Sequence, residues 1–209
     1  IQPFIVTLSG LFLLRGACFM VSLDSVPIRA PFISWFNSIY LDLPGGGFLT
    51  GGALVMLVML AIAFVIAHFT RFGTNVYAIG GDKTSAILMG VPMRKTTVMI
   101  YALAGFYSAI AGVIYAMNPS SGYPPAGMTL ELSAIAASVL GGTMLTGGVG
   151  MVFGALFGGM ILALISTVII FNGTLNGAWI LIATGFLLFV FIVIQRWIVS
   201  SFSSAAKAG

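Results

Sequence analysis

Charge is what this sequence has least of. Asp, Glu, Lys and Arg together make up 6% of its 209 residues, against roughly 25% in an ordinary soluble domain. So few charges cannot cover a soluble surface, and they exclude a charge-rich disordered chain as well. Cysteine is almost missing. Cys18 alone cannot close an internal disulfide, which excludes a disulfide-stapled secreted domain. It reads as a small hydrophobe within an apolar run. His68 is the one histidine, and there is neither an H-E-x-x-H string nor a cysteine pair from which to build a metal site. It reads as a headgroup-level residue beside Arg71. No G-x-x-x-x-G-K-[ST] string occurs. Gly81-Asp82-Lys83-Thr84 has a Lys-Thr pair without the glycine spacing or the preceding strand that a phosphate loop needs. The sequence therefore carries no enzyme signature and no cofactor site. The net charge of +4 points to loops facing the cytoplasm, not to nucleic acid.

What is present is apolar. Hydrophobic residues make up 60% of the chain and its mean hydropathy is +1.17. A helix needs about 20 apolar residues to cross a bilayer core. Runs of that order lie at 3–22, 51–69, 97–117, 150–171 and 178–195. A shorter run, 132–146, contains Gly141 and Gly142 and stops at Gly147-Gly148. It reads as a short, broken crossing, which survives in a membrane only where protein or a water-filled cavity shields the backbone. The expectation is an all-α, polytopic membrane protein of about six membrane segments, in a single domain over 1–209. The chain begins at Ile1 with no basic stretch before the first run, so it does not read as a signal peptide. It starts inside an apolar segment and reads as lacking the N-terminal part of a longer chain.

The loops orient these segments. Residues 70–96 carry Arg71, Lys83, Arg94 and Lys95 against Asp82 alone, and the tail carries Arg196 and Lys207. Positive loops stay in the cytoplasm. With 132–146 counted as a crossing, the N-terminus, 70–96, 147–149 and the tail lie inside. The segments 24–50, 118–131 and 172–177 then lie outside. Within the long loop, Asp82 is a good N-cap and Gly90 a good C-terminal stop around a helix-compatible stretch. The spacing predicts a two-turn helix at the cytoplasmic surface with Ala86 and Met89 on one face. It is either an amphipathic connector or a docking element for a cytoplasmic partner.

Two ionisable residues interrupt apolar runs, where charge is costly. Arg15 lies in the first span and Glu131 opens the broken helix. They could pair and lock helices, or serve the substrate. Gly150, Gly154 and Gly158, spaced four apart, would let two helix backbones approach closely. That stripe suits either packing within the chain or a dimer interface.

Several strings, taken together, resemble the permeases of bacterial ribose/galactose-type ABC sugar importers. Pro3-Phe4-Ile5-Val6-Thr7-Leu8 leads to Leu14-Arg15-Gly16. Arg71-Phe72-Gly73, Tyr77-Ala78-Ile79-Gly80-Gly81, Ser85-Ala86 and Met89-Gly90-Val91 follow in order. Glu131-Leu132, Ala134 to Ala137, Gly141-Gly142-Thr143 and Gly147-Gly148-Val149-Gly150 complete the pattern. Phe171-Asn172-Gly173-Thr174-Leu175 and the closing Leu188-Phe189 to Gln195-Arg196 are most similar to the second permease of galactofuranose-type importers. The resemblance implies a multi-pass subunit in the bacterial inner membrane. It implies a second permease subunit (identical or not), an external sugar-binding protein, and a cytoplasmic ATPase that holds the ATP and Mg. It also implies an ATPase-coupling helix over Gly80, Gly81, Asp82, Ser85, Ala86, Met89 and Gly90. On that reading a large charged residue at Ala86 or Gly90 should uncouple ATP hydrolysis from transport while leaving membrane insertion intact. A neutral sugar needs hydroxyl, amide and aromatic groups along its path. Asn118, Tyr123, Glu131, Ser133, Ser138 and Thr143, with Ser120 and Thr129, are candidates for it, each with a loop-structural alternative. A permease for branched-chain amino acids, an ion-coupled secondary transporter and a purely structural membrane partner are the competing readings.

Overall fold

Uninterrupted apolar length decides where the long helices form. The computed structural model describes residues 3–43, 46–171 and 177–207. The expected loop at 172–177 therefore falls outside the described residues except for Gly177, and so do the side chains of Arg196 and Lys207. Helix α1 spans Pro3–Val21 and α3 spans Gly51–Phe69. Helix α6 spans Met93–Met117, α8 spans Val152–Phe171 and α9 spans Ala178–Lys207. Of these, α3, α6, α8 and α9 are long and apolar enough to cross a membrane, and α1 and α7 (Leu130–Leu140) add shorter apolar helices. The long helices are apolar all round and expose most of their large side chains, as lipid-facing helices do. The chain is a polytopic helical membrane protein.

Several bounds differ from those expected. Helix α6 starts at Met93, ahead of the apolar run at 97, because Pro92 ends the preceding turn and supplies the carbonyl for the new one. Thr96 is 2% exposed and both its backbone N–H and its hydroxyl donate to Pro92 O at 3.0 Å. Helix α9 runs on through the tail, where 196–207 contains neither Gly nor Pro to stop it. The expected broken helix over 132–146 is instead the shorter α7 followed by a non-helical turn at 141–151. Gly142, Gly147 and Gly148 there take φ of +85°, +91° and +78°. That left-handed region costs an L side chain about 1–2 kcal/mol, so glycine ends the helix by conformation.

The backbone divides into two compact units, and the division falls within α3 and α6. Residues 1–59 and 101–128 form one, and residues 60–100 and 129–209 the other. In the first, the 24–50 segment is not plain loop. It holds α2 (Pro31–Asn37) and a hairpin of β2 (Tyr40–Leu43) with β3 (Gly47–Thr50). A two-residue antiparallel pair joins β1 (Val26–Pro27) to β4 (Ser121–Gly122). These small sheets are an addition to the all-α expectation. Asn37 Nδ2 donates to Met117 O at 3.0 Å, and Tyr107 Oη to Met59 O at 3.3 Å. In the second unit, α7, α8 and α9 pack together around Ala136, Val139 and Leu162, which are buried.

Candidate coupling and translocation sites

The cation-rich loop is built as two helices. Thr70 sits extended after α3, its Oγ1 accepts from Gly73 N at 3.2 Å, and α4 runs over Arg71–Gly81. A Cβ on Gly73 would collide with the carbonyl of Ala67, so glycine permits the tight bend between α3 and α4. Asp82 (φ −148°, ψ 117°) closes α4 and opens α5, Lys83–Leu88. Its Oδ1 accepts from Ser85 N at 2.6 Å. Gly80 and Gly81, which the resemblance put at the start of the coupling helix, are instead the end of α4.

The Ser85 backbone N–H, and after it the Ser85 hydroxyl, hold the Asp82 carboxyl below its ordinary value of 3.8. The folded value lies below the unfolded one, so the cap is fully present above 3.8 and is lost as pH falls through the lowered value. The protection of the Ser85 amide, its intrinsic exchange rate divided by the observed one at each pH, is expected to hold from neutral pH down to about 4 and to fall in stronger acid. Asp82→Ala should give the low protection at every pH.

Helix α5 presents a different face from the one expected. Ala86 is fully buried, whereas Ile87, Leu88 and Met89 are 59%, 84% and 69% exposed. Ala86 and Met89 therefore do not share a surface. Ala86 N donates to Asp82 O and Val91 N returns to Ala86 O, both at 3.0 Å, so the chain folds back over Ala86. Gly90 takes φ +78° with open space around it, so conformation and not crowding calls for glycine.

Helix α4 is fastened to the 141–151 turn. Tyr77 Oη donates to Gly150 O at 3.0 Å. A Cβ on Gly147 would stand 2.9 Å from Gly80 O, and one on Gly148 would stand 2.7 Å from Gly81 Cα. Backbone thus lies directly on backbone. The ring of Phe64, on α3, packs at a tilt against His68 at 4.4 Å and against Phe153 at 4.7 Å, which places His68 in an aromatic cluster of the second unit. Tyr77→Phe removes one part-buried hydrogen bond and should cost about 1 kcal/mol, read as a lower melting temperature of the purified protein. Sequence reasoning missed this contact. The paired glycines Gly80-Gly81 and Gly147-Gly148 are the signal that could have shown it.

The glycine stripe is not one helical face. Gly150 precedes α8 and faces the Thr143 side chain, where a Cβ would meet Oγ1 at 3.0 Å. Gly154 and Gly158 do lie on α8, and added Cβ atoms would collide with the carbonyls of Gly141 and Ala137. Gln195 of α9 donates to Val139 O and Thr143 O, both at 3.3 Å, and so ties α9 to the last turn of α7 and to the turn after it. Gln195 was not singled out as a site residue from sequence.

The translocation candidates divide between the two units. Ser133 and Ser138 lie on α7 and donate to carbonyls one turn back, Thr129 O just before the helix and Ala134 O within it. Glu131 stands in the first turn of α7, where a carboxylate suits the helix dipole. Thr129 precedes α7 with φ +72°. Arg15 lies on α1 in the first unit and Glu131 in the second. Asn118 and Tyr123, in the first unit, line a cavity of 460 Å³ together with Ser25, Tyr115, Pro119 and Ser121.

Residues 2–194 match the family described as the branched-chain amino acid transport system permease component. The chain is 48% identical over 196 residues to the inner membrane ABC transporter permease YjfF of Escherichia coli, covering 94% of this chain and 59% of that one. It is 34% identical to the fructose import permease FruG of Bifidobacterium longum and 34% identical to the ribose import permease RbsC of Bacillus subtilis. Each of those alignments covers 93% of this chain and 59% of the relative. The chain thus spans under two thirds of the length of these relatives. No solved structure matches it. By the family match along nearly its whole length, the chain belongs to the family of ABC-transport permease components described for branched-chain amino acid systems.

Proposed function

We propose that the chain is the larger part of a transmembrane permease subunit of an ATP-driven importer in the bacterial inner membrane. Its cargo is a neutral monosaccharide, ribose-like or galactofuranose-like. The observation that carries this reading is α5, a capped helix in the cation-rich loop that exposes Ile87, Leu88 and Met89. Positive charge assigns that loop to the cytoplasm, and an exposed apolar tip there suits docking to an ATPase. Shift of the transporter between inward- and outward-open states would enter through α5 and pass to the 141–151 turn through α4, to which that turn is fastened. ATP and Mg belong to the ATPase, and this chain is the non-hydrolytic partner of a second permease subunit and of an external sugar-binding protein.

The relatives named for fructose and ribose import support a sugar over an amino acid. An amino acid would need groups for a carboxylate and an ammonium. The cavity beside Asn118 is lined by uncharged residues instead. The test is reconstitution of the full-length permease with its ATPase and binding protein in vesicles. ATP-dependent uptake of labelled ribose, galactose or fructose is expected. Uptake without ATP, or uptake of labelled leucine in place of every sugar, overturns the reading.

A further inference from the structure

We propose that the 460 Å³ cavity at the α6–β4 end of the first unit is a binding site for a single neutral sugar ring. This rests on the importer reading and adds where the sugar first meets this chain. Three observations carry it. The first is size, since 460 Å³ falls within the range of about 300–1,000 Å³ typical of small-molecule sites. The second is chemistry. Ser25, Asn118 and Ser121 bring two hydroxyls and an amide, and Tyr115 and Tyr123 bring two rings, each with its own hydroxyl. Tyr rings offer apolar faces to the C–H face of a sugar, while hydroxyls and the amide both donate and accept, as sugar hydroxyls do. No lining residue carries a charge, so neither a phosphate nor an amino acid finds a counter-ion there. The third is a preformed wall. Ser120 is held at φ +52°, an unusual conformation for a residue other than glycine. Its N–H donates to Met117 O at 3.1 Å, and its carbonyl accepts from Ile28 N at 2.8 Å. With the β1–β4 pair, these bonds fix the turn that carries Asn118, Ser121 and Tyr123. These bonds hold the turn through its backbone and use none of the side chains of Asn118, Ser121 or Tyr123.

The test uses the full-length permease, reconstituted with its ATPase and binding protein, and the sugar among ribose, galactose and fructose that the unaltered protein transports. Ser121→Trp fills the cavity from a position whose backbone pairing is independent of its side chain. Asn118→Leu removes the amide at constant bulk. Each is expected to lower uptake at sub-saturating sugar by about tenfold, the loss of one or two hydrogen bonds, with normal amounts of protein in the vesicles. As a measure independent of transport, Ser121→Cys in a Cys18→Ala background is labelled with a maleimide, and the transported sugar at millimolar concentration is expected to slow the labelling while mannitol does not. Unchanged uptake by both variants, or labelling indifferent to the sugar, overturns the cavity as a sugar site and leaves the importer reading standing. Failure of the unaltered protein to transport any of the three sugars overturns the importer reading itself.

Discussion

Leu88→Glu is expected to cut ATP-driven uptake by about tenfold or more while the permease still inserts and binds detergent or lipid as before. Leu88 is the most exposed residue of the apolar tip of α5, 84% open to solvent, so the change disturbs little of the fold. A docked ATPase would have to strip water from a carboxylate placed there, and a desolvated, unpaired charge costs several kcal/mol. ATP hydrolysis by the complex should persist at its basal level and lose its response to loaded binding protein. Ala86→Glu is the contrasting change. Ala86 is fully buried beneath the turn that returns at Val91, so a carboxylate there disrupts the loop itself and should reduce the amount of protein in the membrane. If Leu88→Glu transports as the unaltered protein does, α5 is not the docking element. The position first favoured from sequence, Ala86, therefore reports on folding, and the coupling test belongs one turn face away.

The second large effect concerns two adjacent glycines. Gly158→Ala should destabilise the protein by about 1–3 kcal/mol, whereas Gly159→Ala should be neutral or slightly stabilising. A Cβ at 158 meets the carbonyl of Ala137 on α7, while one at 159 finds nothing within 4 Å. The obstacle at 158 is backbone, which no rotamer change can clear. The α7–α8 pair must separate, and with it the packing around the buried Val139 and Leu162. In a membrane such close approach is the main source of helix attraction, because lipid is as apolar as leucine. Thermal unfolding in detergent should place Gly158→Ala several degrees below Gly159→Ala, roughly 2–4 °C for each kcal/mol. Equal melting temperatures would mean that α7 and α8 do not meet as closely as their backbones indicate.

Chain order and composition alone determined much of this protein. The span at 51–69 is legible because its nineteen residues contain no Asp, Glu, Lys, Arg or Pro, and its two glycines lie at the very start. The capped helix after Asp82 is legible because an Asp, a run of helix formers and a Gly encode its two ends locally. Where a bound depends on distant chain, sequence ran out. Nothing near Gly80 says that it lies against Gly147-Gly148, since the contact is between backbones and leaves only glycine itself as a trace. Ala86 and Met89, three apart, should share a helix face, but α5 is one and a half turns long and its end unwinds at Gly90. Burial of Ala86 there is set by the returning chain at Val91. The same holds for the stripe, because periodicity cannot tell that α8 starts at Val152 and leaves Gly150 outside it. Asn118 and Tyr123 were recognisable as polar and aromatic, but only the β1–β4 pairing gathers them with Ser25 and Tyr115 around one cavity. The sequence determined the class of the molecule, its long apolar helices and the capped helix after Asp82, because those depend on transfer of short segments from water and on caps written locally. Which backbones touch, and which polar groups converge, only the tertiary structure decided, because close packing is a property of pairs of segments and is written in neither one alone.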